Sequence, residues 1–126
     1  MFNLKTAQVA LSVGLISCAV LAGCGSKKNS TTDSAIQVVP VTLTKEGCSP
    51  SNFTLKPGPT RFDVKNDNAP AVTEFYIYDG DKVLSEVENV VAGVPKTMMY
   101  TLEEGNFTVK CLGGTTNEKG TLEVKP

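Results

Sequence analysis

The chain has 126 residues, room for one domain with a modest core and little for a second. Its 12 Lys plus Arg against 13 Asp plus Glu give a formal net charge of -1, so no long-range field exists to hold a polyanion and no nucleic-acid partner is expected. There is no His, which excludes Ser-His-Asp hydrolases, Cys-His proteases, zinc fingers and every copper or iron site that needs an imidazole from this chain.

Lys5 is the only charge in residues 1–23, and it precedes an apolar run from Val9 to Ala22. That run is short of the roughly 20 residues a membrane span needs and reads as the core of a secretory signal. It ends in Leu21-Ala22-Gly23-Cys24, which resembles the bacterial lipobox, where the Cys thiol receives diacylglycerol before cleavage. Residues 1–23 are therefore expected to be a lipoprotein signal peptide that carries Cys18 away with it. Cys24 becomes the lipid-bearing first residue of an exported bacterial protein, anchored to the cell membrane at the cell surface or in the periplasm. Residues 24–35 follow as a linker whose Gly, Ser, Lys, Asn, Thr and Asp have no apolar surface to bury, which predicts a flexible tether.

The domain proper is expected over 36–126. From Ile36 onward short alternating segments are broken by Gly, Pro and Asn, and no stretch carries the i, i+3, i+4 spacing of a long helix. The fold class is all-β. Strands are predicted at Val38–Thr44, Phe53–Lys56, Thr60–Asn66, Val72–Tyr78, Lys82–Ser85, Lys96–Leu102, Asn106–Cys111 and Gly120–Lys125, which suits a Greek-key sandwich of two sheets. Pro57-Gly58, Asp79-Gly80, Glu104-Gly105 and Lys119-Gly120 supply the turns. Alternation points Phe62, Val64, Phe107, Val109, Leu122 and Val124 inward and Asp63, Thr108 and Glu123 outward. In Val72–Tyr78, Phe75 and Ile77 compete with Tyr76 and Tyr78 for the inner face, and periodicity does not choose between them.

Cys111 ends its strand on the inward side, and Cys48 follows the first long strand where Pro50 turns the chain. If both lie at one pole of the sandwich, they can form a disulfide, which export favours, or a pair of thiolates on a metal. A disulfide across that span would stabilise so small a domain by about 4 kcal/mol on the chain-entropy estimate.

Cys48-Ser49-Pro50, Lys56-Pro57-Gly58, Thr73-Glu74-Phe75 with Ile77, Glu86-Val87-Glu88-Asn89 with Gly93, Leu102 with Gly105 and Phe107, Cys111, and Lys119-Gly120-Thr121-Leu122 stand in an order and spacing that resemble the EfeO-type cupredoxin-like domains of bacterial iron-uptake lipoproteins and periplasmic proteins. The resemblance covers Val41 to Val124. It implies an eight-stranded cupredoxin sandwich with a metal pole. In blue-copper relatives a His stands at the position of Glu74, the ligand Cys at Cys111, and the following loop supplies another His and a Met. Here Leu112 to Glu118 supplies neither, so no type 1 blue-copper site is expected. The resemblance therefore implies metal capture rather than electron relay.

Ligand hardness leaves the ion open between copper and iron. Thiolates of Cys48 and Cys111 suit Cu(I) or Zn(II), whereas Glu74, Glu86 and Glu88 offer hard oxygens suited to Fe(III) or a hydrated divalent ion. Glu86 and Glu88 alternate in an extended segment, so they share a side, as a cation site or as a solvated acidic edge. Met98 and Met99 read as one inward and one outward strand residue, and Tyr76, Tyr78 and Tyr100 fit cross-strand packing and a functional role equally. No nucleophile and base stand together, so no enzymatic activity is expected.

The leading reading is a lipid-anchored extracytoplasmic protein that binds iron or copper and passes it to a membrane permease or other uptake component. The competing readings are a disulfide-stapled structural or protein-interaction sandwich without metal, and an electron-transfer module with ligands from a partner. Mass spectrometry of native protein should find diacylglycerol on Cys24 and no trace of residues 1–23. Cys24→Ala should leave the chain unprocessed or release it from the membrane; an unmodified N-terminus elsewhere refutes the anchor.

Overall fold

The structure, a computed structural model, describes residues 35–126. The predicted signal peptide, Cys24 and all of the linker except its last residue lie outside the described residues. Nine strands follow one another: β1 Gln37–Thr44, β2 Gly47–Ser49, β3 Asn52–Leu55, β4 Gly58–Asn66, β5 Phe75–Asp79, β6 Lys82–Val87, β7 Lys96–Leu102, β8 Gly105–Lys110 and β9 Lys119–Val124. They form a four-stranded sheet in the order β2-β1-β4-β7 and a five-stranded sheet in the order β3-β9-β8-β5-β6. Both sheets are mixed, because β1 pairs with β4 and β3 with β9 in parallel.

The all-β sandwich predicted from alternation is present, with nine strands instead of eight. The additional strand is β2, a short return that pairs Thr44 with Gly47 and Leu43 with Cys48. Three residues centred on a Cys carry no alternation to detect. Gly47 is required there: its φ is 129°, and a Cβ at this position would overlap the Asn117 carbonyl. The predicted strand Val72–Tyr78 begins only at Phe75, because Val72 closes a turn by donating its N–H to the Ala69 carbonyl at 3.2 Å.

The core lies between the sheets. Phe62, Val64, Val109, Leu122 and Val124 are buried as alternation requires, and Phe107 is partly buried against them. The open register of β5 resolves with Phe75 and Ile77 inward, both fully buried. Phe75 is the hub, its ring centroid 5.6 Å from Phe62 of the other sheet and 6.5 Å edge-on from Phe53. Met98 points in and Met99 out, with Met99 54% exposed.

Two loops at one end of the sandwich are held by a single amide. The Asn66 Nδ2 lies 3.1, 3.0 and 2.8 Å from the carbonyls of Ala69, Val72 and Val90, and its Oδ1 accepts the Ala69 N–H at 2.7 Å. Val90 also donates its N–H to the Thr73 carbonyl at 2.9 Å. The segment leading into β5 is thereby fixed to the segment leaving β6. Asn66→Ala strips these partly buried groups of their partners, and chemical denaturation should show a loss of about 1–3 kcal/mol. An unchanged midpoint would show that water replaces the amide without cost.

Candidate metal centre

Glu74 stands immediately before β5 and Glu88 immediately after β6. These strands pair antiparallel with Phe75 opposite Val87 and Tyr76 opposite Glu86, so both carboxylates fall at the same end of the five-stranded sheet. Between them is the Tyr76 hydroxyl, 3.1 Å from Glu74 Oε2 and 3.0 Å from Glu88 Oε1. A phenol has one proton, and ionised carboxylates only accept. Tyr76 can therefore donate to one of the two at a time, and the second oxygen contact is left for another proton or a cation.

Tyr76 sits on the outer face of its sheet and is nonetheless 92% buried, being 8% exposed. Its ring packs 5.8 Å from that of Tyr78, and Lys110 Nζ lies 4.0 Å over the Tyr78 ring. Burial first, then the hydrogen bond to Glu88, then Glu74, push the Tyr76 hydroxyl well above the ordinary phenol range. The phenolate is thus strongly disfavoured until something positive offsets the two carboxylates. Lys96 Nζ donates to the Glu88 backbone carbonyl at 2.8 Å, which fixes the chain there and leaves the carboxylate to Tyr76.

Cys48 and Cys111 are joined in a disulfide with Cα atoms 5.3 Å apart, and both residues are fully buried. Since Tyr76 pairs with Lys110, β8 continued by one residue sets Cys111 beside Phe75. The disulfide and Glu74 thus occupy the same end of the sandwich but different faces: the sulfurs lie between the sheets, and the Glu74 carboxylate lies outside with Tyr76. The bond occupies both sulfurs, so neither is a thiolate while it stands. Glu86, exposed on β6, is opposite Tyr76 in register, and it is Glu88 that reaches the phenol. Among the described residues no three His, Cys, Asp or Glu side chains converge to hold an ion. The oxygens that do converge are two carboxylates and a phenol. Tyr76 is the member that the sequence leaves open between packing and function, and its signal is the i, i+2 spacing from Glu74, readable only once the inner face of β5 is known.

A mixed two-sheet sandwich whose Cys-bearing pole is closed by a loop after the penultimate strand defines the cupredoxin class of fold. The chain belongs to the cupredoxin-like domain family, which it matches over residues 14–124. It is 37% identical over 90 residues to the iron uptake system component EfeO of Escherichia coli O1:K1, an alignment covering 71% of this chain and 24% of that protein. The chain thus spans about a quarter of the length of this relative. Auracyanin B superposes with a TM-score of 0.57 at 18% identity, covering 71% of this chain and 89% of that one. The metal binding domain of the Streptococcus pneumoniae D39 Cu(I) exporting P-type ATPase CopA, solved with Cu(I), does so with a TM-score of 0.56 at 18% identity, covering 75% and 90%. These two likenesses concern the fold.

The raised Tyr76 pKa has a consequence at alkaline pH. Below the unfolded value of about 10 the phenol is protonated in both states, and its contribution to stability is complete. Above it the unfolded chain releases a proton that the folded chain retains, so stability falls as pH rises. Thermal melting across this range should show a steeper alkaline decline for the wild type than for Tyr76→Phe. Parallel profiles would mean that the folded phenol titrates normally.

Proposed function

We propose that the chain is an extracytoplasmic metal-capture domain that holds a hard cation, ferric iron foremost, at Glu74, Tyr76 and Glu88. The observation that carries this reading is the Tyr76 hydroxyl set between two carboxylates with one proton for two acceptors. Replacing that proton by a cation would relieve the carboxylate repulsion and bring the phenol back toward ionisation, since a bound ion is the largest local charge. Carboxylate and phenolate oxygens suit a hard ion. The iron uptake role carried in the name of the EfeO relatives supports iron as cargo, and the same likeness supports delivery to a membrane permease or other uptake component.

Copper fits less well. The type 1 arrangement needs two imidazoles and a thiolate; this chain has no His, and its Cys48 and Cys111 sulfurs are bonded to each other. No electron relay of that kind follows from these residues, and no catalytic role is proposed. Export with a lipid on Cys24 places the domain beside a membrane transporter, and the disulfide accords with an oxidising compartment. The same disulfide favours a second reading, a stapled interaction domain that binds no metal.

Titration with Fe(III) supplied as a weak chelate separates the two. The capture reading expects a visible phenolate-to-iron charge-transfer band in the wild type. The band should vanish in Tyr76→Phe, affinity should fall at least about tenfold, or 1.4 kcal/mol, in Glu74→Gln and Glu88→Gln, and Glu103→Gln should match the wild type. Cu(II) should give no intense blue. Absence of iron binding in the wild type would leave the stapled interaction domain as the function.

A further inference from the structure

A sandwich of two open sheets has four edge strands, and each edge presents unpaired backbone N–H and C=O groups that will pair with another chain unless something prevents it. Three of the four edges carry a protection. β2 has three residues and is covered by the segment before β9, where Cys48 donates its N–H to the Asn117 carbonyl at 3.0 Å and Gly47 bridges to Asn117. β3 has four residues, with Asn52 and Thr54 exposed. β6 carries Lys82 and Glu86 and is kinked where its register with β5 shifts between Ile77 and Tyr78.

β7 is the least protected of the four: it begins with Lys96 and runs near β6, but no bulge or covering segment interrupts it. It pairs with β4 over seven consecutive residues without a shift, from Lys96 opposite Val64 to Leu102 opposite Gly58. Among the described residues no other strand hydrogen bonds to it. From Thr97 to Leu102 it contains no charge and no Pro, and Met99 at its centre is 54% exposed. A shallow concavity of about 380 Å³ lined by Pro59, Met99, Tyr100 and Thr101 lies alongside it.

We infer that β7 is the contact through which two copies of this chain pair edge to edge, antiparallel about a two-fold axis at Met99. The strand is self-complementary in that arrangement. Thr97 of each copy faces Thr101 of the other, a favourable cross-strand pair, and the two Met99 side chains meet at the axis. The basic end at Lys96 lies beside the acidic end of the second copy, where Glu103 and Glu104 follow Leu102. Lys96 uses one of its three donors on the Glu88 carbonyl and keeps two. A two-fold contact buries the same patch on both partners and closes without propagating, and a formal charge of -2 per copy, once residues 1–23 and their Lys5 are removed, opposes it little. The outcome is a continuous eight-stranded sheet across the pair.

The test uses the full chain in the membranes of the cells that make it. Met99→Cys places two thiols at the axis, and mild oxidation should convert the chain into a disulfide-linked dimer on a non-reducing gel. The wild type and Thr54→Cys, on the edge of the other sheet, should remain monomeric on that gel. In sedimentation of the detergent-extracted chain the wild type should be dimeric and Met99→Lys, which opposes two charges at the axis, monomeric, still melting cooperatively but at a lower temperature because the stabilising contact is gone. Three results would overturn the inference: no cross-linking of Met99→Cys beyond that of Thr54→Cys, a wild-type monomer, or a dimer indifferent to Met99→Lys. A cross-link from Met99→Cys to a different protein would do so too.

Discussion

The bond between Cys48 and Cys111 decides what kind of chemistry this sandwich can hold. It joins β2 of one sheet to the residue after β8 of the other, across 63 positions of sequence. Cys48 and Cys111 also donate their N–H groups to the Asn117 and Glu118 carbonyls, so the loop between β8 and β9 is drawn down over the same pole. On the chain-entropy estimate the cross-link contributes about 4 kcal/mol, a large share of the about 5–15 kcal/mol by which a folded domain is commonly stable. The residues that would be soft metal ligands are therefore spent on holding the sheets together, and any ion at this end must be met by oxygen.

The oxygens are available because of strand alternation. Phe75 and Ile77 fill the core, which turns Tyr76 to the outer face. The antiparallel pairing of β5 with β6 then brings Glu74 and Glu88 to either side of its hydroxyl. Asn66 and the bond from Val90 to Thr73 fix the two segments from which these carboxylates project. Like charges held near one phenol need structural support, and here it comes from backbone carbonyls bound to a partly buried amide rather than from a compensating cation side chain. Lys96 is close enough to supply one, yet it binds the Glu88 carbonyl instead.

Much of this was legible in the sequence. Alternation in Phe62 and Val64, Val109, and Leu122 with Val124 gave the core faces, and the Gly and Pro breaks gave most strand boundaries. The meeting of Cys48 with Cys111 was visible as one of two outcomes, since spacing places both near a turn and says nothing of oxidation state. β2 was missed because three residues cannot show a period. The role of Tyr76 stays open in the sequence because two aromatic or aliphatic pairs on opposite faces of β5 look alike to a period-two pattern, and only packing against Phe62 and Phe53 decides which pair enters. Asn66 left no sequence signal, since its partners lie up to 24 positions away.

The absence of imidazole also bears on how a captured ion would be let go. Under the reading proposed here, the site lacks the imidazole through which a His would switch it between pH 5 and 8. Another route remains: an electron donor outside this chain can reduce the ion from Fe(III) to Fe(II), which hard oxygens hold less well. The fold suits this route, because loss of charge on the ion weakens its pull on phenolate and carboxylate oxygens together while the disulfide-closed sandwich that supports them need not move.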